Sequence, residues 1–516
     1  MKRTGWHRTW VVRGLLMTFI GMTSRVYGDP TPSGLQLKIE NLENRLSQLQ
    51  NKPVVEATMA DASGAVPAAD ANKKIDPFSE DDWTWLVGNG RTTSAVMDSK
   101  YFTPEVLMDV GYAHDFASPS DHTIVGSGIT NRSSEIQVEH FGVGGDFHIP
   151  TGNGGDYVRA RIMSQLGMYS QAIPRNDSTP GIGQWNLQNA YRYVTEMYAG
   201  YHWDKMYGIN LDAGIFPSYI GLWSFYEAEN WTDTPSFCSS NTPWFFNGLR
   251  IQTFPTPRFK QEYWITNGWQ TYGNANNLPA IGSQTLWRPR GWIDLVMNLY
   301  AGHDATANPA NNQFESGDLN QGRLRLHSDS SVVVKYYDHP ESMLDKMAFS
   351  ITFDAGCENG GGVQCMNGDA ATPSQYMIAA MAYNRFWFDH DKYAITIGGG
   401  AVDNPGRYLV LLPSINGATA ISGSPYFTTN PGDEFHAWDY SVTADYMPNQ
   451  WLTYRLEGGH RHSSEPYWEG SHGITPPGGN TGNPGQTGIL NPDGSTWTPD
   501  LVRNQDRLTL NMLVKI

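Results

Sequence analysis

The stretch Asp433–Arg461 reads DEFHAWDYSVTADYMPNQWLTYRLEGGHR. Trp438, Tyr440, Val442, Ala444 and Tyr446 alternate with Asp439, Ser441, Thr443 and Asp445. Beyond Pro448, Leu452, Tyr454 and Leu456 alternate with Thr453, Arg455 and Glu457. Successive side chains of a β-strand point to opposite faces. Two strands joined by a tight turn are therefore expected here, in a sheet with one apolar and one wet face.

The same pattern runs outward from this hairpin in both directions. Met347, Phe349, Ile351 and Phe353 share one face, as do Tyr393, Ile395 and Ile397, and Ile209, Leu211, Ala213 and Ile215. The periodicity predicts sixteen strands: 104–116, 134–149, 154–169, 188–202, 206–216, 243–254, 258–270, 282–289, 291–301, 323–338, 343–356, 373–388, 391–402, 433–447, 449–461 and 501–516. Taken singly, these would suit a soluble sandwich or a β-helix. Their connections alternate instead, with tight turns at 150–153, 203–205, 255–257, 290, 339–342, 389–390 and 448. Long polar loops such as 117–133, 217–242, 302–322, 403–432 and 462–500 lie between those turns. Short turns at one rim and long loops at the other are the layout of a transmembrane antiparallel up-and-down β-barrel. Strand 282–289 bears the parity of the count. The last strand keeps Leu508, Leu510, Met512, Val514 and Ile516 on one face up to the final residue.

The flanking sequence fits export. Lys2, Arg3, Arg8 and Arg13 precede the short apolar run Gly14–Met22, and Val26-Tyr27-Gly28 supplies a cleavage site, so residues 1–28 read as a signal peptide. Leu35, Ile39, Leu42, Leu46 and Leu49 form a heptad seam, so residues 29–50 are expected to be a short periplasmic coiled coil, compatible with a homotrimer. Residues 51–81 read as a linker and 82–516 as the outer-membrane barrel. The formal net charge of −16 argues against a nucleic-acid partner. The lipid bilayer and small hydrophilic solutes are the expected partners.

The stretch DAGIFPSYIGLWSFYEAENWTDTPSF (212–237), followed by PWFFNGLRIQ (243–252), resembles the OmpL-like β-barrel porins. The resemblance rests on Ile220-Gly221, Glu229-Asn230-Trp231 and Gly248-Leu249-Arg250. It extends to DWTWLVGNGR (82–91), YWITNGWQ (263–270) and HSDSSVVVKYYD (327–338). It implies a channel of the bacterial outer membrane and brings no catalytic residues.

No hydrolase elbow, metalloprotease motif or phosphate loop is present in the sequence. No metal site and no cofactor are expected, and His460, His462 and Asp389-His390-Asp391 read as solvated rim residues. Cys357 and Cys365 flank a Gly-rich loop and form a disulfide candidate in an exported chain, which leaves Cys238 over. A barrel in lipid turns its polar faces inward. That makes Arg159, Arg161, Arg192, Arg250, Glu196, Asp212, Asp294, Asp354, Arg455 and Glu457 pore-lining candidates. The bland alternative is that the arginines are wall charges paired with acids such as Glu196 and Asp212. Loop 217–242 is long, aromatic and acidic, and Trp223, Phe225, Tyr226 and Trp231 would be left in water if it were fully exposed. It is therefore expected to fold inward, with Glu227, Glu229 and Asp233 forming a constriction opposite the basic wall. Sixteen strands leave room for an aqueous channel, so the favoured function is passive diffusion of small hydrophilic solutes, without enzymatic activity. A secreted β-rich carbohydrate-active enzyme, or a plugged barrel acting as receptor or adhesin, are the competing readings.

Overall fold

In a computed structural model, the structure describes residues 75–516 except 128, 175–176, 178–183, 275–276, 306–322, 405–407, 409–433, 476–489, 496 and 498. The expected signal peptide, coiled coil and most of the linker lie outside the described residues. So does most of loop 403–432.

The chain forms a closed antiparallel barrel of sixteen strands. In chain order these are β1 (Phe102–Asp115), β2 (Glu135–Pro150), β3 (Tyr157–Ser164), β4 (Val194–Trp203), β5 (Ile209–Pro217), β6 (Phe245–Thr256), β7 (Phe259–Thr266) and β8 (Ala280–Arg290). They continue with β9 (Ile293–Ala305), β10 (Arg323–Asp338), β11 (Leu344–Asn359), β12 (Tyr376–Phe388), β13 (Tyr393–Asp403), β14 (His436–Asn449) and β15 (Leu452–Ser463). A two-stranded ribbon, β16 (Trp468–Glu469) with β17 (Leu501–Val502), stands apart from the barrel sheet. Strand β18 (Asn504–Lys515) then pairs with both β15 and β1 and closes the cylinder. Closure leaves no edge strand unpaired, which a sheet in lipid requires.

The burial pattern is that of a soluble sheet turned inside out. On β14, Ser441, Thr443 and Asp445 are buried while Trp438, Tyr440, Val442 and Tyr446 are exposed. On β11, Ser350, Thr352 and Asp354 are buried between exposed Phe349 and Phe353. Apolar side chains outward and polar ones inward is the arrangement a bilayer stabilises. No helix among the described residues is long and apolar enough to cross a membrane; the strands do so.

Expected strands 154–169, 188–202 and 258–270 are shorter than their sequence pattern, the last ending at Thr266. Strand β3 ends at Ser164 and β4 begins at Val194, and the helices Tyr169–Ala172 and Leu187–Tyr191 occupy the interval. Gly167, at φ +90°, turns the chain off the ladder where an added Cβ would meet the Val138 carbonyl at 2.5 Å. Asn186 caps the second helix by accepting from the Asn189 amide at 2.9 Å. Arg192 therefore does not sit on a barrel strand. It closes that helix and donates to the Gln171 side chain at 2.9 Å.

Candidate functional site

The loop between β5 and β6 enters the barrel. Tyr226, Glu227, Trp231, Asp233, Phe237 and Cys238 are all buried, although they belong to a connection between strands. Its Glu227–Ser240 portion crosses to the wall made by β12, β14, β15 and β18 and is held there by hydrogen bonds. Arg455 on β15 donates to three loop carbonyls, those of Glu227 (3.2 Å), Thr232 (2.8 Å) and Asn230 (2.6 Å), and to Asp445 (2.8 and 3.1 Å). Arg385 on β12 donates to Asp445 (2.8 Å) and to the Trp231 carbonyl (3.0 Å). Glu457 accepts from the amides of Asp233 (2.8 Å) and Thr234 (3.0 Å), and Asp439 accepts from that of Phe237 (2.7 Å). Asn511 donates to Asp233 and Lys515 to Glu229, both from β18. Aromatic contacts Trp231–Trp387 and Trp223–Tyr383 complete the seat. A loop carbonyl removed from water requires a donor, and the two arginines supply charge-assisted ones.

The segment before β1 is a strap across the short-turn mouth. The Phe78 amide donates to the Pro257 carbonyl at 2.7 Å, and Arg258 meets Glu80 at 2.6 Å, both at the β6–β7 turn. Trp83 lies under the Arg288 guanidinium and buried Trp85 near the Lys335 ammonium. At the centre the Gly88 amide donates to the Glu229 carbonyl at 2.8 Å, and Arg385 donates to the Gly88 carbonyl at 2.6 Å. An added Cβ on Gly88 would meet the Asn230 carbonyl at 2.4 Å, so only glycine allows strap and loop to approach this closely. Asn89, Arg91 and Thr92 then bond carbonyls of Asn449, Met447 and Gln450 at the β14–β15 turn. The strap thus joins opposite sides of the ring, seven strands apart in either direction.

Most sequence-selected charges are paired on their own wall. Asp212 on β5 is shared by Arg159 (3.4 Å) and Arg250 (2.9 Å). Arg161 bridges Glu105 (2.7 Å), Asp146 (2.6 Å) and Glu196 (2.9 Å), and Glu196 also accepts from the Tyr226 hydroxyl at 2.6 Å. Asp294 pairs with Arg288 at 3.1 Å, and Asp354 lies 2.7 Å from His327. The loop acids do not face an unpaired basic wall: Glu229 meets Lys515, while Glu227 and Asp233 are turned to the Arg455 wall. Burial, followed by repulsion from Asp233, pushes the Glu227 carboxyl well above the usual range. Cys357 and Cys365 form a disulfide and Cys238 is a buried free thiol. Among the described residues no group of His, Cys, Asp or Glu is arranged to hold a metal ion.

Arg385, the strap and the anchoring role of Arg455 escape a reading by alternation. Tyr383 and Trp387 share the inward face of β12 with Arg385, so that strand looks apolar on both sides. Among the described residues, open chambers lie between the strap, the loop and the wall. One, of about 370 Å³, is lined among others by Asp82, Trp83, Asn89, Glu229, Trp451 and Lys515. Another, of about 180 Å³, is lined among others by Val87, Trp223, Glu229, Arg288, Asp294 and Ser350.

A closed sixteen-strand barrel with an apolar exterior, a polar interior and an inward-folded loop defines an outer-membrane β-barrel of the porin class. The chain belongs to the family described as putative beta-barrel porin-2, OmpL-like, whose profile matches residues 102–490. Its location is the bacterial outer membrane. No curated protein matches it by sequence. Among solved structures it is similar to Pseudomonas putida OprB at high pH, with 12% identity, 80% of this chain and 94% of that chain covered, and a TM-score of 0.46. It is also similar to the outer membrane channel DcaP of Acinetobacter baumannii (12%, 82% and 100%, 0.44) and to an anion-selective porin from Comamonas acidovorans (8%, 80% and 99%, 0.45).

Proposed function

We propose that the protein is a passive diffusion channel for small hydrophilic solutes, narrowed by the loop after β5 and by the strap. One observation carries this reading. The loop is bonded to the β12–β15 and β18 wall, while charged side chains of the facing wall, on β3 and β6–β8, retain contact with solvent. Solute would pass between the two, with water-filled width setting the size limit and wall charges the selectivity. Sealed liposomes containing the purified protein test it. They should swell in isosmotic arabinose and much less in isosmotic raffinose. Equal swelling rates with protein-free liposomes would refute the channel.

Association into a homotrimer, helped by the heptad seam Leu35–Leu49, is part of the proposal. Removing residues 30–50 should lower the temperature at which the detergent-solubilised oligomer dissociates. An unchanged oligomer and midpoint would remove the seam from the account.

A further inference from the structure

A stripe of the wall facing the seated loop pairs four cations with three acids. Arg159 and Arg250 share Asp212, Lys260 pairs with Glu262 at 2.7 Å, and Arg288 pairs with Asp294. In every pair the cation is more exposed than the acid. Side-chain exposures are 19% for Arg159 and 12% for Arg250 against 0% for Asp212. They are 16% for Lys260 against 2% for Glu262, and 19% for Arg288 against 6% for Asp294. The cause is side-chain length: the acids lie against the sheet, and the longer cations extend past them with their charged ends nearer the axis. Glu262 is held further down by Gln252 and by the Trp264 indole at 2.7 and 2.9 Å. Arg250 is also braced over the rings of Phe216 and Tyr198.

Other charges face the same space, the buried acids Asp109, Glu139 and Asp329 among them. Arg161 lies among Glu105, Glu196 and Asp146, and Asp146 is 47% exposed, so the β1–β4 corner is acidic. Glu229, on the seated loop, is bonded to Lys515. Glu80 and Asp81 on the strap are drawn to Arg258 at the rim. None of these acids pairs with the four cations of the β3–β8 stripe.

We propose that the channel prefers anionic solutes, carboxylates and phosphates among them, and that Arg159, Lys260 and Arg288 set this preference. The inference rests on the channel reading above. A low-dielectric wall strengthens the field of charges at its surface, and screening is weak over a few ångströms, so ions meet the cationic ends before the acids behind them. Arg288 also lines the 180 Å³ chamber, together with Asp294 and Glu229, each of which is already bonded to a cation.

The test is the zero-current potential in planar bilayers under a KCl gradient, for wild type and for the combined variant R159Q/K260Q/R288Q. Wild type should favour chloride over potassium, and the triple variant should lower that permeability ratio at least about two-fold. The three residues pair with Asp212, Glu262 and Asp294 and are not among the groups that seat the loop, so the variant retains the loop's anchors. As a second readout, citrate added on one side should reduce wild-type single-channel current and affect the triple variant less. A potassium-preferring wild type, or a ratio unmoved by the triple substitution, would overturn the anion inference while leaving the channel standing. A wild type without conductance would overturn the channel reading itself.

Discussion

Replacing Arg455 by Met should release the loop from its seat. Met keeps the length and apolar stem but removes every donor. The native guanidinium serves three loop carbonyls at 2.6–3.2 Å and Asp445 at 2.8 and 3.1 Å. A charged hydrogen bond contributes roughly 1.5–3 kcal/mol, so three give a gross of about 5–9 kcal/mol. Carbonyls that leave the seat recover water, which reduces the net loss to about 3–5 kcal/mol, the usual cost of removing one partner from a buried ionic network. The lower value is expected because Asp445 keeps Arg385 at 2.8 Å. A loss of about 3 kcal/mol raises the released fraction of the loop by roughly two orders of magnitude. The assay is single-channel recording, paired with the heating temperature that unfolds the barrel on semi-native gels. The variant should show a larger mean conductance with frequent transitions between levels, and the barrel should still fold. Conductance and current noise identical to wild type, alongside a clear fall in heat stability, would mean that Arg455 braces the wall and does not hold the loop.

Two further outcomes follow from the same geometry. Ile395 and Leu456 point outward and are 39% and 42% exposed. Arg at either position should cost about 2–4 kcal/mol at mid-bilayer depth, read from urea unfolding in lipid; midpoints equal to wild type would put the register in error. Asp233 sits on the loop outside the spanning strands, and burial followed by repulsion from Glu457 pushes its carboxyl up to about 7. Because the folded value is raised above the ordinary ~3.9, its contribution to seating is complete below about pH 4 and is lost as pH rises through about 7. Conductance should therefore increase from about pH 5 to about pH 8, and D233N should flatten that rise; a D233N profile that still climbs like wild type would assign the effect to another group.

The strand register was legible because lipid and lumen impose opposite demands on alternate residues, as Trp438/Asp439 and Leu456/Glu457 illustrate. Even strand β8, with Pro289 near its end, takes its place between β7 and β9. Alternation states which face a residue occupies, and it is silent about what packs against that face. Thr396 and Arg455 look like solvated lumen residues in sequence, yet they are 0% and 1% exposed beneath the loop and its anchors. The strap is hidden for another reason: Trp83 and Trp85 stand in a segment with no period of either helix or strand. Alternation places Arg192 on a strand, but the pattern there continues into a capped helix. The inward course of the loop is signalled by its own composition, whereas the wall it meets depends on long-range pairs such as Glu457 with Asp233 and Thr234.

The most direct test of the central claim is current through a planar bilayer exposed to the purified, detergent-solubilised wild-type protein in symmetric 1 M KCl, a concentration of about that order chosen so that surface charge is screened. The account predicts discrete, stepwise increases in current, ohmic at low voltage, as single proteins insert. A membrane that incorporates folded, heat-modifiable barrel and yet carries no more current than protein-free lipid would contradict it.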